Sequence, residues 1–196
     1  MVCANREFGP SQCWGDGWTW FWWVDQIWYP VAAVGDFFVC WEVNHYVFCE
    51  GDPTREVPDF PAGNFIAIAA SGDQACAIDT NRLFCGGSER FERRFDTMRI
   101  GTGSVAAGGA HTCNVDNGGL IDCWGDNAAG QRESPRIRAR ALDTNADHAC
   151  ATGTANMLHC WGDDRRGGNL PPPGLATRSV DLGQYNGCAV RSDGSP

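Results

Sequence analysis

The chain has 196 residues, 43% of them hydrophobic and 20% charged, which is the make-up of a globular protein and not of a disordered one. Its formal net charge of −9 comes from scattered acidic residues, which disfavours a nucleic-acid partner, and no run of about 18 apolar residues offers a membrane span. All fifteen basic residues are arginine, and the eleven cysteines, a high number for a soluble chain, point to an oxidising compartment provided they pair.

The cysteines fall into two interleaved series. One is Cys3, Cys40, Cys76, Cys113, Cys150 and Cys188, with steps of 37, 36, 37, 37 and 38; the other is Cys13, Cys49, Cys85, Cys123 and Cys160, with steps of 36, 36, 38 and 37. Two registers that keep one period along the whole chain mark a tandem repeat.

In chain order, the sequence starts inside a repeat at Cys3. Nothing in Met1-Val2-Cys3-Ala4-Asn5-Arg6 resembles a secretory leader, so a secreted form is expected to have lost its leader or to carry it outside this chain. The first cysteine pair ends in Cys13-Trp14-Gly15-Asp16, followed by a connector crowded with Trp18, Trp20, Trp22, Trp23 and Trp28. A small apolar strand, Val31-Ala32-Ala33-Val34, precedes Cys40; Ile66-Ala67-Ile68-Ala69-Ala70 precedes Cys76; Val105-Ala106-Ala107 precedes Cys113. Ala141-Leu142 and Val180-Asp181-Leu182 are weaker copies before Cys150 and Cys188. Trp-Gly-Asp returns after Cys123 and Cys160, and Glu50-Gly51-Asp52 after Cys49. Each repeat therefore reads as a short strand, a turn, a cysteine strand, a tight turn, a second cysteine strand and a longer connector, which is an all-β repeat architecture.

Hairpin geometry predicts the pairing. Asn44-His45 and Thr80-Asn81 lie at the centres of their cysteine pairs and suit two-residue turns, while Asn117-Gly118-Gly119 suits a three-residue loop with a glycine bulge. Each pair then sits directly opposite on neighbouring strands, within the span of a disulfide. The expected bridges are Cys3–Cys13, Cys40–Cys49, Cys76–Cys85, Cys113–Cys123 and Cys150–Cys160, with Cys188 left unpaired. Free buried thiols are the alternative. Zinc is disfavoured because there is no Cys-x-x-Cys, and no metal, cofactor or catalytic set is expected.

The stretch from Val105-Ala106-Ala107-Gly108-Gly109-Ala110-His111-Thr112-Cys113 through Cys123-Trp124-Gly125-Asp126-Asn127 to Gly130-Gln131 resembles a repeat of the regulator-of-chromosome-condensation superfamily. Two cysteines per repeat make it similar to the disulfide-containing secreted branch, found in bacterial secreted proteins and in plant crinkly-type receptor ectodomains. The resemblance implies a β-propeller of about 37-residue blades, each with a disulfide inside its hairpin. Residues 1–196 then form one repeat domain, of five disulfide-paired repeats and part of a sixth. Seven such blades would need about 259 residues, so a fragment of a longer propeller is expected. An incomplete ring completed by another chain and a solenoid-like arc are the alternatives.

Two groups of residues are candidates for contact with a partner. The tryptophans Trp18, Trp20, Trp22, Trp23 and Trp28 form an aromatic shelf suited to sugar stacking or to anchoring a protein. Arg136, Arg138 and Arg140 fall in a connector together with Arg132, and Arg90, Arg93 and Arg94 in the connector before it, where they suit a sulfated or carboxylated glycan; a solvated rim is the alternative. Recurring Trp14, Trp124 and Trp161, together with His111 and His148, hold fixed repeat positions and read as structural. The expected function is a non-catalytic structural or recognition module, extracellular or at a cell surface, that binds protein or glycan through its connector rim or assembles with itself. A secreted enzyme inhibitor is the alternative; a nuclear exchange-factor-like chromatin binder is disfavoured by the paired cysteines and the acidic charge.

Overall fold

The structure, a computed structural model, describes residues 2–4, 12–14, 31–52, 54–79, 82–87, 104–165, 171–184 and 186–193, with only the backbone described at 2–4, 12–14 and 31–32. Every regular element among these residues is a β-strand. The chain divides into two compact units, Met1–Met98 and Arg99–Pro196.

The first unit opens with a two-stranded ribbon, β1 (Val2–Ala4) and β2 (Gln12–Trp14), whose register sets Cys3 opposite Cys13. Two three-stranded antiparallel sheets follow. One is β3 (Val31–Val34), β4 (Phe38–Val43) and β5 (Tyr46–Gly51); the other is β6 (Phe65–Ser71), β7 (Gln74–Asp79) and β8 (Leu83–Gly87). The second unit repeats the pattern twice, with β9 (Ser104–Ala107), β10 (His111–Val115) and β11 (Ile121–Gly125), then β12 (Ala139–Asn145), β13 (His148–Gly153) and β14 (Leu158–Gly162). It closes with the pair β15 (Thr177–Leu182) and β16 (Gly187–Arg191). In each unit the first strands of successive sheets run side by side, the arrangement of propeller blades.

The turns are the ones their residues require. Asn44 and His45 both take positive φ, 50° and 70°, so β4 and β5 join through a two-residue turn of the primed kind, which matches strand twist. Beyond β10 the Asp116 N–H still donates to Leu120 O, and the three-residue loop between them ends on Gly119 at φ 80°, where the Gly119 N–H donates to Asp116 O. After β13 the same loop recurs with Asn156 in place of glycine, at φ 64° and donating to Gly153 O. Thr80 and Asn81 lie outside the described residues, but Asp79 N–H donates to Arg82 O across them.

Four expected bridges are present, Cys40–Cys49, Cys76–Cys85, Cys113–Cys123 and Cys150–Cys160, each joining residues directly opposite in register. The bond expected between Cys3 and Cys13 falls on side chains outside the described set. Cys188, on β16, is free and exposed.

The two-residue period of a strand puts each blade's cysteines on one face and their sequence neighbours on the other. In the first unit the cysteine face of one blade (Phe38, Cys40, Val47) packs with Ala75 and Ala77 beside Cys76. In the second, Cys113 and Val115 pack with Ala149 and Ala151 beside Cys150, under Trp161. Alanine recurs at these places because the facing blade carries the bulk of a disulfide, and close approach requires a small partner.

Glycine in the Cys-x-Gly motif has a matching cause. Gly125 (φ 95°) and Gly162 (φ 99°) end the outer strands against the preceding turn, where a Cβ would lie 2.5 Å from Ala110 O and 2.4 Å from Asp147 O. The next residue of each, Asp126 and Asp163, then donates its N–H to that same carbonyl.

Candidate interaction rim

Strand direction gives the second unit two distinct rims. At one, the turn rim, lie the loops 108–110 and 146–147, the turn closed by Gly183 and Asn186, and the residues that follow the outer strands. At the other, the hairpin rim, lie the loops after β10 and β13, the starts of β12 and β15 and the end of β16. Backbone bonds tie successive blades there, Ala139 N–H to Gly119 O and Thr177 N–H to Asn156 O.

The turn rim is acidic and built for structure. Asp126 Oδ1 accepts the N–H groups of Asn127 and Ala128, and Asp163 Oδ1 accepts that of Arg165, whose guanidinium also closes on the carboxylate at 2.8 Å. In the first unit Asp52 caps Thr54 in the same way. These are the turn-capping carboxylates the repeated motif predicts. The side-chain bond from Arg165 holds the Asp163 carboxyl down at about 2, and the Thr54 hydroxyl lowers that of Asp52.

Behind this rim, buried Gln131 stitches one blade's connector to the next blade. Its Nε2 lies 3.2 Å from Asp126 and 3.3 Å from Asp147, its Oε1 accepts Ala129 N–H, and its carbonyl accepts the Trp161 indole N–H at 2.8 Å. The sequence marked Gly130-Gln131 only as part of a motif; the recurrence of tryptophan at 161 was the signal for its partner. His111 is fully buried against Gly108, where a Cβ would sit 2.3 Å from the ring. Burial pulls its pKa down to about 4, against the opposing pull of Asp147, and burial also lowers that of His148.

The hairpin rim carries the arginines. Arg136, Arg138 and Arg140 are exposed there, and the structure adds Arg178 and Arg191 from the next blade. Arg140 does not lie in a connector, as the sequence suggested, but inside β12, at a register shift between Ala139 and Ala141. Arg178 holds the same place in β15, between Thr177 and Ser179. At such a bulge two residues oppose one, which leaves one without a register partner. Arg138 donates to Gly118 O, and Arg140 Nη1 lies 3.4 Å from Asn156 Oδ1. Among the described residues, no carboxylate is in salt-bridge range of Arg136, Arg138, Arg140 or Arg178. Arg132 separates from this group: its N–H donates to Asn127 Oδ1, beside the turn rim.

The tryptophans Trp18, Trp20, Trp22, Trp23 and Trp28, and Arg90, Arg93 and Arg94, lie outside the described residues. The first unit shows a different aromatic surface on β4 and β5, where Trp41 stacks on Phe48 with centroids 6.4 Å apart and Val43 faces Tyr46. Phe48 and Tyr46 are each 49% exposed, whereas Ala77, Asn114 and Ala151, which follow their cysteines as Trp41 does, are buried. The alternation Trp41-Glu42-Val43 and Tyr46-Val47-Phe48 carried that signal, and the larger tryptophan cluster upstream masked it.

No protein-family model and no curated protein matches the sequence. Solved structures match the fold. The ectodomain of the receptor kinase CR4 from Physcomitrella patens superposes with a TM-score of 0.68 at 21% identity, covering 84% of this chain and 50% of that one. The CRINKLY WD40 ectodomain of the Arabidopsis thaliana receptor kinase ACR4 gives 0.65 at 20%, covering 81% and 60%. Prp20p of Saccharomyces cerevisiae, described with its binding to Gsp1p and histones, gives 0.64 at 15%, covering 83% and 55%. The fold is thus that of regulator-of-chromosome-condensation-like β-propellers. The chain spans between 50% and 60% of the length of these structures.

Proposed function

We propose that this chain is a non-catalytic recognition module of the extracellular space or cell surface, a rigid propeller scaffold that presents its rims to a macromolecular partner. The observation that carries this reading is the set of four bridges at one repeated register, each inside a hairpin. Such bonds persist in oxidising compartments and are rare where glutathione keeps thiols reduced. The fold likeness to two receptor-kinase ectodomains supports the same setting. The shifted titratable groups support a scaffold over an enzyme, because each has a structural duty. Asp52 and Asp163 cap turns, His111 and His148 are buried at turns, and Asp143 accepts the Leu182 N–H to join β12 to β15. A strongly perturbed group with no such duty would have favoured a catalytic site.

Non-reducing mass spectrometry of the protein taken from its native compartment tests the reading. Intact Cys40–Cys49, Cys76–Cys85, Cys113–Cys123 and Cys150–Cys160 peptides are expected. Eight free thiols would move the protein to a reducing compartment and restore the alternative of a nuclear, exchange-factor-like chromatin binder.

A further inference from the structure

We infer that the hairpin rim of the second unit is a binding surface for a linear sulfated or carboxylated polysaccharide, held across the starts of β12 and β15 by Arg138, Arg140 and Arg178. The inference deepens the recognition role proposed above and rests on it for the ligand's setting.

Three observations converge on this rim. The first is the separation of charge between the two ends of one unit. Asp126, Asp147, Asp163 and Asp164 gather at the turn rim, whereas Arg136, Arg138, Arg140, Arg178 and Arg191 gather at the hairpin rim. The described carboxylates near the hairpin rim are engaged elsewhere or apart from these arginines: Asp116 accepts the Leu120 N–H, Asp193 lies 3.8 Å from Arg191, and Asp122, one residue into β11, is outside salt-bridge range of Arg136, Arg138, Arg140 and Arg178. In a chain of net charge −9, this end is a local positive field that attracts an anion while the opposite end repels it.

The second observation is that the guanidiniums are held but not neutralised. Arg138 and Arg140 meet only neutral oxygens, Gly118 O and Asn156 Oδ1, which orient the side chains and leave their charge for a ligand. A guanidinium presents a planar fork of N–H groups that fits a sulfate or carboxylate with two parallel bonds.

The third observation is periodicity. Arg140 and Arg178 occupy the same register shift on neighbouring first strands, so the repeat sets them side by side, and Arg138 lies two residues before Arg140, just ahead of β12. Positions two apart along extended backbone are about 6.6 Å from each other, and packed sheets lie about 10 Å apart. A row of cations at this spacing suits a chain with anionic groups on successive sugars. A nucleic-acid duplex is a poorer fit, because its dense phosphates would meet only one short row of cations on a chain of net charge −9.

The probe is a size-defined heparin oligosaccharide, with affinity measured by calorimetry on the whole disulfide-bonded chain at about 150 mM salt, close to physiological ionic strength. Arg140→Ser/Arg178→Ser is expected to weaken binding by roughly tenfold or more, with an unchanged melting temperature, because two charge-assisted contacts are lost from an exposed surface. Arg165→Ser, at the opposite rim, is expected to leave affinity unchanged. No binding by the parent chain, equal loss in both variants, or equal affinity for oligoglutamate or a DNA oligonucleotide of the same charge would each overturn the inference. Since the bridges are read separately by mass spectrometry, failure here with the disulfides intact would remove the glycan and leave the extracellular module standing.

Discussion

Replacing both halves of the bridge Cys113–Cys123 with alanine isolates what one hairpin crosslink contributes. The bond closes a loop with a sequence separation of 10, for which chain entropy predicts a stabilisation of about 2.7 kcal/mol through the unfolded state. Cys113 is also fully buried, packed with Ala149 and Ala151 of the next blade, with Cys123 against the same cluster. Losing the two sulfurs from that interface costs about 1 kcal/mol more. The double variant is therefore expected to be about 3–4 kcal/mol less stable, a fall in melting temperature of about 15 °C for a unit of this size. Denaturant unfolding of the variant and its parent, with and without reductant, separates the two contributions. With every bridge reduced, the gap between the proteins should shrink to the packing part, about 1 kcal/mol. A gap below about 1 kcal/mol in oxidising buffer, or one that reductant leaves unchanged, would refute the reasoning.

Further outcomes follow from neighbouring groups. Ala151→Leu adds bulk where the second unit's blades meet at full burial and should cost about 1–3 kcal/mol, read as a lower denaturant midpoint at unchanged slope. Asp143 is raised to about 6, chiefly by burial and against the bond from Leu182 N–H, so the folded state holds a proton that the unfolded chain releases at about 3.9. Stability from this group therefore falls as pH rises through that window. Asp143→Asn, which still accepts the Leu182 N–H, should melt higher than the parent above pH 6, a gap that closes towards pH 4 in thermal scans. His111 runs the other way: with its folded value near 4 and an unfolded value of about 6.5, its contribution is complete above about pH 6.5 and lost on acidification. NMR titration should find the His111 ring still neutral at pH 5, and a midpoint near 6.5 would show that the ring is not buried as described. Gly125→Ala should destabilise strongly, because its φ is 95° and the new Cβ would meet Ala110 O at 2.5 Å; a melting temperature within 2 °C of the parent, about half a kilocalorie, would contradict that geometry.

The one-dimensional order of residues determined the repeat, its all-β character and the partners of four bridges. These are local consequences: a two- or three-residue turn fixes the register of its own hairpin, and register fixes which sulfurs meet. Trp14, Trp124 and Trp161 could be read as structural because they recur, and the structure gives Trp161 its partner in Gln131. What the sequence could not decide is which residues from different repeats share a rim. Arg132 and Arg138 lie six residues apart in one connector, yet Arg132 bonds beside the turn rim while Arg138 joins Arg178, forty residues away, at the hairpin rim. That sorting depends on strand direction and on the stacking of first strands side by side. Both are set by burial of the disulfide face against the alanines of the next blade, a contact between residues far apart along the chain.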